Sequence, residues 1–119
     1  MKLVDLIKRF DNLKSNQFTK EEKVAWVSEL DSKVNTNLYE PYGIKKDFDG
    51  YTEDSNDVDL MIPDAFVSVY IHWLELKVDY FNGEIARYNN SLAMFNVEYA
   101  QFESWFVKNH LKPQGNFKI

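Results

Sequence analysis

Residues 66–85, Phe66-Val67-Ser68-Val69-Tyr70-Ile71-His72-Trp73-Leu74-Glu75-Leu76-Lys77-Val78-Asp79-Tyr80-Phe81-Asn82-Gly83-Glu84-Ile85, decide the fold of this 119-residue chain. Apolar side chains recur there at every three-then-four step, as Val67, Ile71, Leu74, Val78, Phe81 and Ile85. The rhythm continues through Tyr88, Leu92, Phe95, Tyr99, Phe102 and Phe106. A second row, Phe66, Val69, Trp73, Leu76 and Tyr80, runs along the opposite side of the first half. A helix that is apolar on two sides belongs at the centre of a bundle or against another subunit. The second row is therefore a candidate subunit interface.

The rhythm keeps phase through Asn82-Gly83 and again through Asn89-Asn90-Ser91, which leaves three readings open. One helix over 64–109 would reach about 69 Å at 1.5 Å per residue. The only long partner elsewhere in the chain could cover less than half of it, so neighbouring subunits would have to bury the rest. A fold-back at Asn82-Gly83 is favoured, because glycine takes the left-handed conformation that ends a helix. A break at 89–91 is the next choice.

Upstream, Leu3, Leu6, Ile7, Phe10 and Leu13 predict a first helix over 2–14. Thr19 with Glu22 three residues on forms a capping box. It opens a second helix over 19–39 with Val24, Val27, Leu30, Val34 and Leu38 on its apolar face. Pro41 and Gly43 stop it. No period survives over 41–62. A connection this long is commonly functional, so it is a candidate contact surface, with a solvated excursion as the plain alternative. Pro63 then suits the first turn of a third helix over 64–82, followed by a fourth over 84–109. The expected architecture is all-α: one domain, 1–119, a four-helix bundle-like fold with a long loop and a short flexible tail over 112–119.

The composition narrows the chemistry. No cysteine is present, which removes disulfides, thiol nucleophiles and cysteine-ligated zinc. The start, Met1-Lys2-Leu3-Val4-Asp5, lacks the apolar run of a secretory signal, and charges interrupt every apolar stretch before membrane-spanning length. A soluble, unprocessed protein with no membrane partner is expected. The net charge of −5 is concentrated: Asp47, Asp49, Glu53, Asp54, Asp57 and Asp59 lie in one stretch without a base, and the remainder sums to +1. A general nucleic-acid binder would show a basic face instead of isolated pairs such as Lys45-Lys46 and Lys8-Arg9.

His72, Glu75 and Asp79 fall at i, i+3 and i+7 of the third helix and could group as a metal or acid–base cluster. Carboxylate-bridged di-metal bundles need Glu-x-x-His in that order on two helices. A polar helix edge is the simpler reading. The acidic stretch misses the calcium-loop pattern, since Tyr51 replaces the third ligand and Gly50 falls at the fourth position. No phosphate-binding glycine loop and no nucleophile motif occurs. Tyrosines and tryptophans without surrounding lysine and arginine suit protein packing better than base stacking. No enzyme activity, metal or cofactor is expected.

The stretch from Tyr70 to Glu84, continued by Arg87-Tyr88-Asn89-Asn90-Ser91 and Phe95-Asn96, resembles small structural proteins of tailed bacteriophages and prophages of Gram-positive bacteria, of the head–tail connector or head-completion kind. The resemblance is closest over 63–106. It implies a helical subunit of a virion, present in the host cytoplasm during assembly, that forms a homo-oligomeric ring between the capsid portal and the tail. Such a ring provides a path for DNA without sequence-specific binding. The acidic residues would line that path or meet a partner. Connector relatives often place an extended or hairpin element after the last helix, whereas this chain continues helically to about Asn109. A second class is an acidic regulatory or DNA-mimicking inhibitor, although mimics spread carboxylates along a surface rather than concentrating them in one loop. A third, a carboxylate–metal enzyme, rests on His72, Glu75 and Asp79 alone.

Overall fold

The computed structural model describes residues 1–44 and 47–110. Lys45, Lys46 and the expected tail lie outside the described residues. Four helices form the body: α1 (Leu3–Leu13), α2 (Lys20–Val34), α3 (Val67–Phe81) and α4 (Ile85–His110).

The apolar period of α1 buries Leu3, Leu6, Ile7 and Phe10, each contributing about 1.5–3 kcal/mol. Leu13, the last member of that row, is 65% exposed. The capping box of α2 forms as expected. Thr19 Oγ1 accepts the Glu22 N–H at 3.1 Å, and Glu22 Oε1 accepts the Thr19 N–H at 3.0 Å. Lys23, buried within the α1–α2 contact, holds Asp11 at 2.6 Å. Beyond Val34 the chain winds on as a wider π-helical turn, Asn35–Tyr39, then as a 3-10 turn, Glu40–Tyr42. Gly43, at φ +77, ends it. The change of pitch turns Leu38 and Tyr39 inward, and the Tyr39 ring stacks on Phe106 with centroids 5.2 Å apart.

Helices α3 and α4 form an antiparallel hairpin folded at Asn82-Gly83, the favoured of the three readings. The Gly83 N–H donates to the Tyr80 carbonyl at 3.1 Å, and the Glu84 N–H reaches back to Asp79 at 2.9 Å. This double closure is the Schellman stop, which needs the positive φ that Gly83 adopts. α4 runs unbroken through Asn89-Asn90-Ser91. Leu74 and Val78 are buried on one side of the seam, with Phe95, Phe102 and Phe106 on the other. The rhythm fails as burial only at the turn, where Phe81 and Ile85 are 57% and 62% exposed.

α3 is the hub, since α1, α2 and α4 all pack on it. Its doubled apolar face is accounted for within one chain. Trp73 donates its indole N–H to the Trp26 carbonyl of α2 at 2.7 Å and meets Phe95 of α4 at 5.2 Å. Buried Asp79 joins three helices, accepting from Lys14 Nζ and from the Ser91 hydroxyl, each at 2.9 Å.

Candidate functional site

Two surfaces come out of this arrangement. The first is the irregular stretch after Gly43, which is fastened to the body rather than projecting from it. At its centre is Asp31, fully buried on α2. Oδ1 accepts the Tyr70 hydroxyl at 2.6 Å. Oδ2 accepts the Tyr51 hydroxyl at 2.5 Å and the Met61 N–H at 3.2 Å. The Tyr70 hydroxyl also accepts the Ile62 N–H at 2.9 Å, and the Tyr39 hydroxyl donates to the Met61 carbonyl. One carboxylate thus holds both limbs of the loop against α2 and α3. Charge-assisted bonds of this kind are about twice as strong as neutral ones.

The loop is tied elsewhere too. Ser28 Oγ accepts the Tyr51 N–H at 2.9 Å. A side chain on Gly50, whose φ is +98, would meet that same oxygen at 2.9 Å. Residues 56–60 run beside the N-terminus, where Leu3 N–H donates to Val58 at 3.0 Å and Leu60 N–H to Met1 at 3.0 Å.

Burial and the negative Asp31 act together on the tyrosines. Burial first, then the Asp31 charge and its hydrogen bond, push Tyr70 well above the ordinary phenol range, and Tyr51 moves the same way. Burial and then Asp31 also raise Tyr39. Tyr99 is pushed up to about 12 by burial, then by Glu103 and Asp31.

The six acids of the stretch point outward. Asp47, Asp49, Glu53, Asp54, Asp57 and Asp59 are all exposed. Among the described residues only Asp59 has a cationic partner, Lys2 at 3.1 Å. The result is an acidic surface on a fixed backbone.

The second surface is the outer side of α4, which packs chiefly against α3. α1 exposes Lys8, Arg9 and Asp11, and α2 exposes Glu21, Glu22, Glu29 and Lys33, as solvated helices usually do. α4 does not. From Tyr88 to Phe102 its single charge is Glu98, which turns inward, bonded to the Ser68 hydroxyl and 3.6 Å from His72 Nε2. Asn90, Ala93, Met94, Val97 and Ala100 are left exposed between Ile85 at one end and Trp105 at the other. At the hairpin end a groove of about 140 Å³ is lined by Leu76, Lys77, Tyr80, Phe81 and Tyr88.

The row expected as a subunit interface is placed otherwise. Val69, Trp73 and Leu76 are 0%, 7% and 5% exposed, spent on contacts within the chain. Phe66 is half-buried against Phe102 and Trp105 at 5.5 and 5.3 Å. Tyr80 alone stands out, at 57%. These side chains are required by the protomer's own core, so exposed apolar surface has to be sought on α4.

The His72, Glu75 and Asp79 trio is divided. His72 Nδ1 meets Glu75 at 2.8 Å, whereas Asp79 faces Lys14 and Ser91. No group of three or more histidine or carboxylate side chains among the described residues could hold a metal ion. Among the same residues no helix is long and apolar enough to cross a membrane.

The pattern reading missed Asp31, although a signal was present. Asp31 follows Val27 by four residues and precedes Val34 by three, so an acid sits on the apolar face of α2. A charge in that position is buried and needs partners. Comparison of the chain with protein-family models, with curated proteins and with solved structures finds no match.

Proposed function

We propose that the protein is a non-enzymatic assembly subunit, a head–tail connector or adaptor of a tailed bacteriophage, acting between the capsid portal and the tail. The reading rests on the resemblance over 63–106. The observation that supports it best is the mounting of the acidic surface. Carboxylates destined only for solvent need no anchored backbone, whereas here a buried carboxylate and two tyrosines fasten the stretch at Tyr51 and Met61, on either side of Glu53, Asp54, Asp57 and Asp59. A fixed acidic wall beside a duplex repels phosphates and keeps DNA from adhering as it passes. The body behind it is a packed helical unit whose remaining outer face, on α4, is neutral. Its place is then the virion, reached from the host cytoplasm, with the portal and tail proteins as partners.

The test is reconstitution. Purified protein is added to DNA-filled, tailless heads carrying the portal encoded beside its gene, and bound copies are counted. Saturable binding at a multiple set by portal symmetry is expected. DNA delivery should slow when Asp54, Asp57 and Asp59 are changed together to asparagine. Absence of portal binding, with tight binding to a DNA-binding protein instead, would replace this reading by the inhibitor one. Unchanged delivery by the triple variant would remove the channel role.

A further inference from the structure

Helices α3 and α4 meet at a histidine held between two carboxylates, and we propose that this histidine is a latch between the helices that protonation closes. His72 of α3 has a carboxylate at each ring nitrogen. Nδ1 lies 2.8 Å from Glu75 Oε1, one turn on along the same helix, and Nε2 faces Glu98 Oε1 of α4 at 3.6 Å. The other Glu98 oxygen accepts the Ser68 hydroxyl. The three titratable side chains, at 20%, 30% and 24% exposure, are largely withdrawn from solvent.

A neutral ring cannot bond on both sides here. It has one N–H and one lone pair, and a carboxylate only accepts. The 2.8 Å contact takes the proton at Nδ1, which leaves the Nε2 lone pair turned toward Glu98. The wider separation at Nε2 fits that arrangement, since a charge-assisted N–H···O bond spans about 2.7–2.9 Å. A second proton, at Nε2, converts the one unfavourable approach into a bond between helices. Ser68 already holds Glu98, so closing the 3.6 Å gap takes a shift of only about 0.8 Å.

No lysine or arginine among the described residues takes the place of that proton. From α2, Lys33 lies over the Trp73 ring, as does Lys77 of α3 itself, and Glu29 meets both lysines. From α1, Lys14 is held by Asp79. From α4, Glu98 is the single charge between Tyr88 and Phe102.

Histidine is the side chain whose ordinary titration falls between pH 5 and 8. The sign follows from the pairing. The fold sets two carboxylates against the imidazolium and the unfolded chain sets none, so the folded state gains stability as pH falls through this range. Both glutamates keep their charge there, since glutamate ordinarily titrates at about 4.3. The latch belongs to the protomer and stands independently of the connector reading.

The experiment is urea unfolding of the full chain at pH 7.5 and 5.5. The Met1 amino group, which meets Asp64, and His110 titrate nearby, so the quantity read is the acid gain of the wild type beyond that of a variant. The folding constant should rise about two- to fivefold more in the wild type than in His72→Gln or Glu98→Gln, the range of a partly exposed ion pair. His110→Gln should keep the wild-type gain. Nitrogen NMR of the wild-type imidazoles needs no variant. His72 should carry its proton on Nδ1 at pH 7.5 and on both nitrogens at pH 5.5, with the Nε2 proton slower to exchange with water than that of His110. An equal acid gain in wild type and His72→Gln, an undiminished gain in Glu98→Gln, or a fast-exchanging Nε2 proton at pH 5.5 would overturn the latch.

Discussion

The loop between α2 and α3 and the helix α4 exchange the roles that their sequences suggest. The stretch 47–62 has no periodicity and six acids, yet it is anchored by a buried carboxylate, backbone bonds to the N-terminus and a seryl oxygen. α4 is the longest regular element, yet it packs chiefly on one neighbour and leaves a neutral face open. Regularity of the backbone and completeness of packing are separate properties. The loop is fastened because its polar groups find partners on the body. The helix satisfies its own backbone and needs none.

The strongest way to break this contrast is at Asp31. Asp31→Ala leaves two buried hydroxyls without their acceptor and frees both limbs of the loop. A loss on the order of 3 kcal/mol is expected, since each unsatisfied buried group costs about 1–3 kcal/mol. Urea denaturation measures it, with faster amide exchange over 51–62 and little change along α4. A loss below about 0.5 kcal/mol would mean that the loop is not fastened there.

Alkaline pH attacks the same clamp without mutation. Tyr51, Tyr70, Tyr39 and Tyr99 all have raised pKa values in the fold. Each keeps its proton when folded after the unfolded chain, at about 10, has lost it. Their contribution is complete below pH ~10 and is lost as pH rises through the folded values, about 12 for Tyr99. The slope reaches about 1.4 kcal/mol per pH unit for each tyrosine. Stability should therefore be level from pH 7 to 9 and fall steeply by pH 11, less steeply in Tyr99→Phe. A level profile to pH 11 would contradict the burial of these hydroxyls.

The smallest effect is expected on the outer side of α4. Ala100→Lys should change stability by less than about 0.5 kcal/mol, because the position is exposed on the outer side of α4. A larger loss would show that the face is already covered in the monomer.

How far the sequence foretold this varies with the kind of interaction. The capping box of Thr19 and Glu22 and the glycine stop at Gly83 were legible because each is a local pattern with one geometric solution. The first two helices followed from spacing, and the division of the third from the fourth followed from the glycine stop, since the spacing itself runs through it. The interface assigned to Val69, Trp73 and Leu76 was not legible, because spacing says that two sides are buried but not by what. Here α2 and α4 of the same chain bury them. The Asp31 clamp was missed for a related reason. Its donors lie 20, 30 and 39 residues away, and no local rule joins them. The open face of α4 shows in the sequence only as an absence of charge between Tyr88 and Glu98, which apolar spacing does not reveal.

The tight turn at Gly83 has a consequence for the order in which the chain folds. Joining α3 to α4 closes a loop of three residues, whereas the Asp31 bonds close loops of 20 to 39 residues. Closure entropy rises with loop length, and contacts near in sequence form first. The hairpin is thus the natural nucleus. Closure of the clamp comes last, and in closing it joins the N-terminal and C-terminal halves into one cooperative unit.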